Sequence, residues 1–312
     1  WFGSVGALTI GWAAAAPSIV IAGTVASISF ILCLIALIWR SVPVPGERLS
    51  AQAIPGFSVM LALIVAGIAL TFAAGLLVPP WLAVTAVLGL LAIPIIISNR
   101  RHATPRLVAV ALAASGICLA LSLANGESLG AYLPYMLAVT LSTIGGALLV
   151  RRTRLSRVYA VDGSLEESLR SFAIGLVLAL PSSLMNLTSG IQAQDSIRAP
   201  WQTLTAFVPG FVEESVARLM LLSLCYALLI GRRGSNGKKA LAAAVLISAF
   251  THALSHLPAS DFVSPAGGMM LFAGALFGVP MGLVFLRFGF EAAVAYHFLI
   301  DFVRFIAAYL IQ

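Results

Sequence analysis

Charge is the scarcest commodity in this sequence. Of 312 residues only 18 are Lys or Arg and 11 are Asp or Glu, whereas 61% are hydrophobic. A soluble domain gives about a quarter of its residues to charge, so a soluble globular fold is excluded, and the mean hydropathy of +1.05 agrees. Cysteine is also rare. Cys33, Cys118 and Cys225 lie singly in separate apolar runs, which excludes a disulfide framework and a thiolate metal cluster and makes them packing residues. No internal repeat or low-complexity tract is visible, and no soluble appendage interrupts the apolar runs. The sequence begins at Trp1 rather than Met; residues upstream are expected, and a signal segment is left unjudged.

What is present is a succession of apolar runs of about 20 residues, the length that crosses a bilayer as a helix. Ten spans are expected, at roughly 17–39, 56–78, 81–98, 106–124, 131–150, 170–188, 204–230, 240–257, 266–286 and 288–310. The fold class is therefore all-α, a polytopic helical membrane bundle. Loops after odd-numbered spans hold Arg40, Arg48, Arg100, Arg101, Arg106, Arg151, Arg152, Arg154, Arg157, Arg170, Arg232, Arg233, Lys238, Lys239 and Arg287. Loops after even-numbered spans hold Arg198 against Glu127, Asp195 and Asp261. By the positive-inside rule this alternation puts both termini on the non-cytoplasmic side. The net charge of +7 is then a property of membrane-flanking loops, and anionic lipid headgroups rather than nucleic acid are the expected partner. Ser164 three residues before Glu167 is a capping-box pattern, and Gly274 and Gly278 suit close helix contact. Both are read as structural.

Ionisable groups at membrane depth cost about 2.5 to 3.5 kcal/mol each on insertion scales, so they persist where they pair, line a cavity or do chemistry. Here they are confined to the C-terminal third. The seventh span holds Glu213, Glu214 and Arg218, the eighth His252 and His256, and the tenth Glu291, His297, Asp301 and Arg304. Glu214 and Arg218 are i and i+4 and can neutralise each other. Glu213, rotated about 100° from Glu214, has no partner on its own helix. His252 with His256, and His297 with Asp301, are also i and i+4, so three helices could converge a carboxylate, imidazoles and a second acid. That is the composition of a general-base site, able to deprotonate a water and stabilise an oxyanion. Pro209 and Gly210 just before Glu213 would break or start the helix there. Bland readings stand beside these: His252 as a helix-to-helix hydrogen bonder, Glu291 paired with Arg287 at the surface, and Arg304 paired with Asp301 or reaching outward.

"EESVAR", Glu213 to Arg218, resembles the EExxxR motif of the CAAX protease and bacteriocin-processing family, intramembrane proteases that include the Rce1-type CAAX prenyl endopeptidases. "HFLID", His297 to Asp301, resembles its third motif, and "RFGFEAAVAYH" its approach to that motif. The second motif, Phe-x-x-x-His, departs: His256 has His252 in the Phe position, and His252 has Ser248 there. His256 is taken as the motif histidine because "SHLP" resembles the family's exit from that helix, with His252 as the competing choice. The resemblance covers roughly residues 200–305. It implies N-terminal helices 1–150 of unassigned role followed by a protease core at 151–312.

Carried over residue by residue, the resemblance implies that Glu213 is the general base, working with His256 on a water. It implies that His297 and Asp301 help stabilise the oxyanion, and that Glu214 and Arg218, with His252 nearby, support the site. An ionised Asp301 cannot donate to an oxyanion, so the local sequence favours Asp301 as the group that orients His297. The expected activity is an intramembrane endopeptidase acting on a membrane-associated peptide or protein in a prokaryotic plasma membrane. A non-enzymatic peptide-binding or immunity protein is the alternative, and a proton-coupled transporter is a third reading. No cofactor is expected. Glu213, His252 and His256 resemble a zinc set, but "HALSH" is not HExxH, and zinc is not favoured.

Overall fold

The computed structural model describes residues 29–42 apart from Phe30 and Leu34, then 80–188, 197–230, 236–257 and 265–311. The expected span at 56–78, most of that at 17–39, and Arg48, Asp195, Arg232, Arg233 and Asp261 lie outside the described residues. Every described element of regular structure is helical. The long helices are α1 (Pro80–Ser98), α2 (Pro105–Ala124), α3 (Leu129–Thr153) and α4 (Leu165–Thr188), then α5, α6 (Gly237–Ser255), α7 (Pro265–Phe288) and α8 (Phe290–Leu310). α5 runs through three consecutive pieces: an α-helical entry Phe207–Glu213, a π-helical middle Glu214–Leu222 and an α-helical exit Ser223–Ile230.

Local chemistry sets the helix starts. Thr104 accepts from the Leu107 amide ahead of Pro105 in α2, and Asn236 accepts from the Lys238 and Lys239 amides in α6, which satisfies donors that a helix N-terminus otherwise leaves open. The expected capping box opens α4: the Ser164 amide donates to Glu167 at 2.8 Å and the Glu167 amide to Ser164 Oγ at 3.1 Å. α7 and α8 are divided by Gly289, whose φ of 102° is a conformation that residues with a Cβ avoid.

Six of the described helices, α1 to α4, α7 and α8, are long and apolar enough to cross a membrane, and the chain is a multi-pass integral membrane protein. The expected count of ten is not reached among the described residues. α5 is subdivided, and α6 carries Lys238, Lys239 and His252 in its length. Leucines, isoleucines and valines such as Leu90, Ile97, Val177 and Leu184 point outward, the surface a lipid-solvated bundle requires. Cys118 and Cys225 are buried as packing residues, whereas Cys33 is exposed.

The bundle is organised by close backbone approach. α8 packs along α4, α1 along α3, α6 along α7, and α3 also against the π-helical part of α5. A Cβ added at Gly175 of α4 would stand 2.1 Å from the Ala292 carbonyl oxygen of α8, so only glycine permits that contact. The expected contact at Gly274 and Gly278 is present too: added Cβ atoms would meet Ala253 and Ala249 of α6. One apolar core runs from Leu88 and Met136 through Leu219 and Tyr226 to Phe285 and Tyr296, continuous across both halves of the chain.

Candidate active site

α5 supplies the acids. It starts at Phe207, and Pro209 and Gly210 fall in its first turn, where the missing amide of proline costs nothing; the pair starts the helix and does not break it. Gly210 lies against Val294 and Phe298 of α8, which draws the entry of α5 to the helix that carries His297. At Glu214 the winding loosens to π. π turns are rare and concentrate at functional positions.

Glu214 and Arg218 pair as the spacing predicts. Arg218 Nη1 stands 3.1 Å from Glu214 Oε1 with both side chains fully buried. Arg218 Nη2 donates to the Gly278 carbonyl at 3.2 Å and lies 3.3 Å from Met281 Sδ, so the guanidinium ties α5 to α7. The pair is not closed on itself, because Glu214 Oε1 also accepts from His297 Nδ1 at 2.9 Å. Glu214 therefore links Arg218 to the imidazole of α8.

Glu213, without a partner on its own helix, finds partners on two others. Its Oε2 stands 3.2 Å from His256 Nε2, 3.5 Å from His252 Nε2 and 3.6 Å from His297 Nε2. The contact to His256 has hydrogen-bond geometry. Both candidate motif histidines thus reach the same oxygen. His252 is buried and its Nδ1 has no hydrogen-bond partner among the described residues, while the side chain of His256 is 37% exposed. His256 is the open side of the cluster.

Asp301 Oδ2 lies 3.5 Å from His297 Nε2, and its Oδ1 lies 3.4 Å from Arg304 Nη2. The short hydrogen bond that fixes the His297 ring comes from Glu214, with Asp301 standing on the opposite ring nitrogen. Glu291 does not pair with Arg287. Its Oε1 accepts the Ala160 amide at 2.7 Å and so caps the single helical turn Tyr159–Asp162. The i, i+4 spacing had a competitor here: an open helix terminus, whose unsatisfied amides are strong carboxylate donors.

Two residues of the site have no precedent in the spacing of charges. The indole of Trp81, second residue of α1, lies nearly parallel to the His256 ring at 5.6 Å and 12°, and edge-on to His252 at 5.8 Å and 86°. Its Nε1 donates to the Tyr135 hydroxyl of α3. Trp and Tyr near span ends ordinarily mark the membrane interface, so their sequence positions carried no site signal.

One carboxylate oxygen from Glu213 and one nitrogen each from His252 and His256 all lie within 4.8 Å of one another. That donor set and spacing fit a divalent metal with two imidazoles and a carboxylate.

The model of the type II CAAX prenyl endopeptidase Rce1-like family matches residues 196–303. No curated protein and no solved structure matches the chain. The matched segment holds Glu213, Glu214, Arg218, His252, His256, His297 and Asp301, whereas Trp81 and Tyr135 lie before it. Over residues 196–303, about a third of the chain, the protein is therefore similar to the Rce1-like CAAX prenyl endopeptidases.

Proposed function

We propose that this protein is an intramembrane endopeptidase that hydrolyses a peptide bond of a membrane-associated peptide or protein by a water activated at Glu213. The observation that carries the reading is the convergence of three imidazole nitrogens, from His252, His256 and His297, on a single oxygen of Glu213. A carboxylate in that position takes a proton from a water bound beside the Glu213–His256 pair. The water oxygen forms a bond to the carbonyl carbon, and the electron pair of the C=O moves onto its oxygen. N–H groups of His252 or His297 are placed to stabilise that oxyanion. On collapse the C–N bond breaks, and the proton held by Glu213 passes to the leaving nitrogen, which gives one acid and one amine from one peptide bond and one water. Glu214, held by Arg218, keeps the His297 ring in place. Asp301, beside Arg304, faces Nε2 of that ring.

The specific observation behind a second reading is the donor set of Glu213, His252 and His256. When bound there, a zinc ion would supply Lewis acidity and a more acidic water. A metal ligated by Glu213 would need another base. Glu214 is committed to Arg218 and His297, and Asp301 to His297 and Arg304, so the metal-free assignment uses the available groups more completely.

The test is cleavage of a fluorogenic peptide ending in a prenylated CAAX sequence, together with mass spectrometry of membrane-anchored peptides in cells that carry wild type or Glu213→Gln. Wild type alone should release product, with the variant reduced on the order of 10²-fold or more. Equal cleavage by Glu213→Gln and His256→Ala would refute the proposal. Retention of activity after exhaustive chelation, with no metal found in the purified protein, separates the two readings.

A further inference from the structure

His256 is the least restrained member of the cluster. It follows the last turn of α6 as its C-cap, and its side chain is the most exposed of the three histidines facing Glu213. Confining a half-exposed imidazole at a helix end to one rotamer costs side-chain entropy that its neighbours must offset. Among the described residues of the segment 196–303, the hydrogen-bond and ring contacts to His256 come from Glu213 and from His252 of α6.

We infer that Trp81 is a positioning residue for His256: the indole forms the wall against which the His256 ring lies, and it thereby holds Nε2 toward Glu213. The geometry supports a wall. The two rings are nearly parallel, while the adjacent His252 ring meets the same indole edge-on, so one tryptophan fixes the planes of two imidazoles. Aromatic contacts of this kind stabilise beyond the area they bury, enough to favour one ring orientation over its alternatives several-fold. The wall is itself braced. Its N–H donates to the Tyr135 hydroxyl, and α1 and α3 pack along each other, with Gly89 held against Ala138. The orientation of a group proposed to act in hydrolysis is thus set by helices that precede the family segment. This inference rests on the endopeptidase reading for its catalytic consequence, but the ring contact is measurable without any substrate.

Histidine modification by diethylpyrocarbonate, mapped by mass spectrometry, reports the contact directly. In Trp81→Ala the His256 ring is uncovered, and its modification rate should rise several-fold while buried His297 stays protected. In parallel, kcat on the prenylated reporter should fall about tenfold, a partial loss of the 10²–10⁴ that acid–base assistance supplies, with KM changing much less. Trp81→Phe, which keeps a ring but loses the N–H, should recover most of both. Tyr135→Phe, which removes the acceptor, should lie between wild type and Trp81→Ala. Trp201→Ala, at an exposed tryptophan, should change neither.

A His256 rate unchanged by Trp81→Ala overturns the inference. So does a parallel rise at His252, His256 and His297, which signals general loosening, and so does a selective rise at His256 without loss of kcat. Failure of the endopeptidase reading is seen elsewhere, as cleavage that survives Glu213→Gln.

Discussion

Exchanging Glu214 or Arg218 for Gln should cost far more than a salt bridge usually costs. Exposed ion pairs contribute about 0.2–1 kcal/mol because water solvates each partner when the other is removed. Here both side chains are fully buried, so a single exchange leaves an uncompensated charge in a dry interior, a loss of about 3–5 kcal/mol. The two single variants should differ. With Gln at 218, Glu214 keeps His297 as a hydrogen-bond donor; with Gln at 214, Arg218 keeps neutral acceptors alone, the amide oxygen at 214, the Gly278 carbonyl and the Met281 sulfur. Glu214→Gln belongs near 5 kcal/mol and Arg218→Gln near 3. The double variant removes both charges of the pair together, so its loss should fall well short of the sum and give a coupling energy of about 2–3 kcal/mol. The assay is reversible unfolding in mixed micelles followed by tryptophan fluorescence, with the four proteins forming one cycle. Losses below 1 kcal/mol for both single exchanges, or strict additivity, would refute the claim that this pair is a buried, mutually dependent unit.

Further outcomes follow from the same contacts. Gly175→Val should separate α4 from α8 and lower stability by at least the 1–3 kcal/mol typical of overpacking, because the obstructing atoms are Ala292 backbone and cannot rotate away; the same unfolding assay checks it. Ser164→Ala should cost about 1 kcal/mol through loss of the cap at the start of α4, without altering cleavage kinetics. Glu291→Leu should release the Tyr159–Asp162 turn from α8, seen as faster amide exchange at Ala160, again without a direct effect on the reaction.

The helices were legible because apolar run length is a direct consequence of bilayer thickness, and each expected span from 81–98 to 288–310 has a helical counterpart among the described residues. The polar faces were legible for a similar reason. Glu214 with Arg218, Asp301 with Arg304, and the pairing of His297 with Asp301 all follow from i, i+3 or i, i+4 spacing on one helix. What spacing cannot carry is contact between helices. Nothing local says that Glu214 serves His297 as well as Arg218, or that Glu291 prefers the Ala160 amide to Arg287. The π-helical turn was equally hidden, since i and i+4 remain on roughly one face in both windings and the charge pattern barely changes.

Trp81 and Tyr135 show most clearly why the charged motifs are an incomplete description of the site. Ionisable groups in an apolar chain are conspicuous because their insertion cost demands a reason; a Trp or Tyr incurs no such cost and so raises no question. Yet the charged residues fix only the ends of the hydrogen bonds. The plane of each imidazole decides whether Nε2 faces the carboxylate, and that plane is set by aromatic and backbone contacts: Trp81 for His256 and His252, Gly210 against α8 for the approach of His297 to α5. A segment containing every charged residue of the cluster, transplanted without α1 and α3, would therefore keep the chemical groups and lose the orientation of His256. The helices before residue 196 complete the geometry on which the proposed reaction depends.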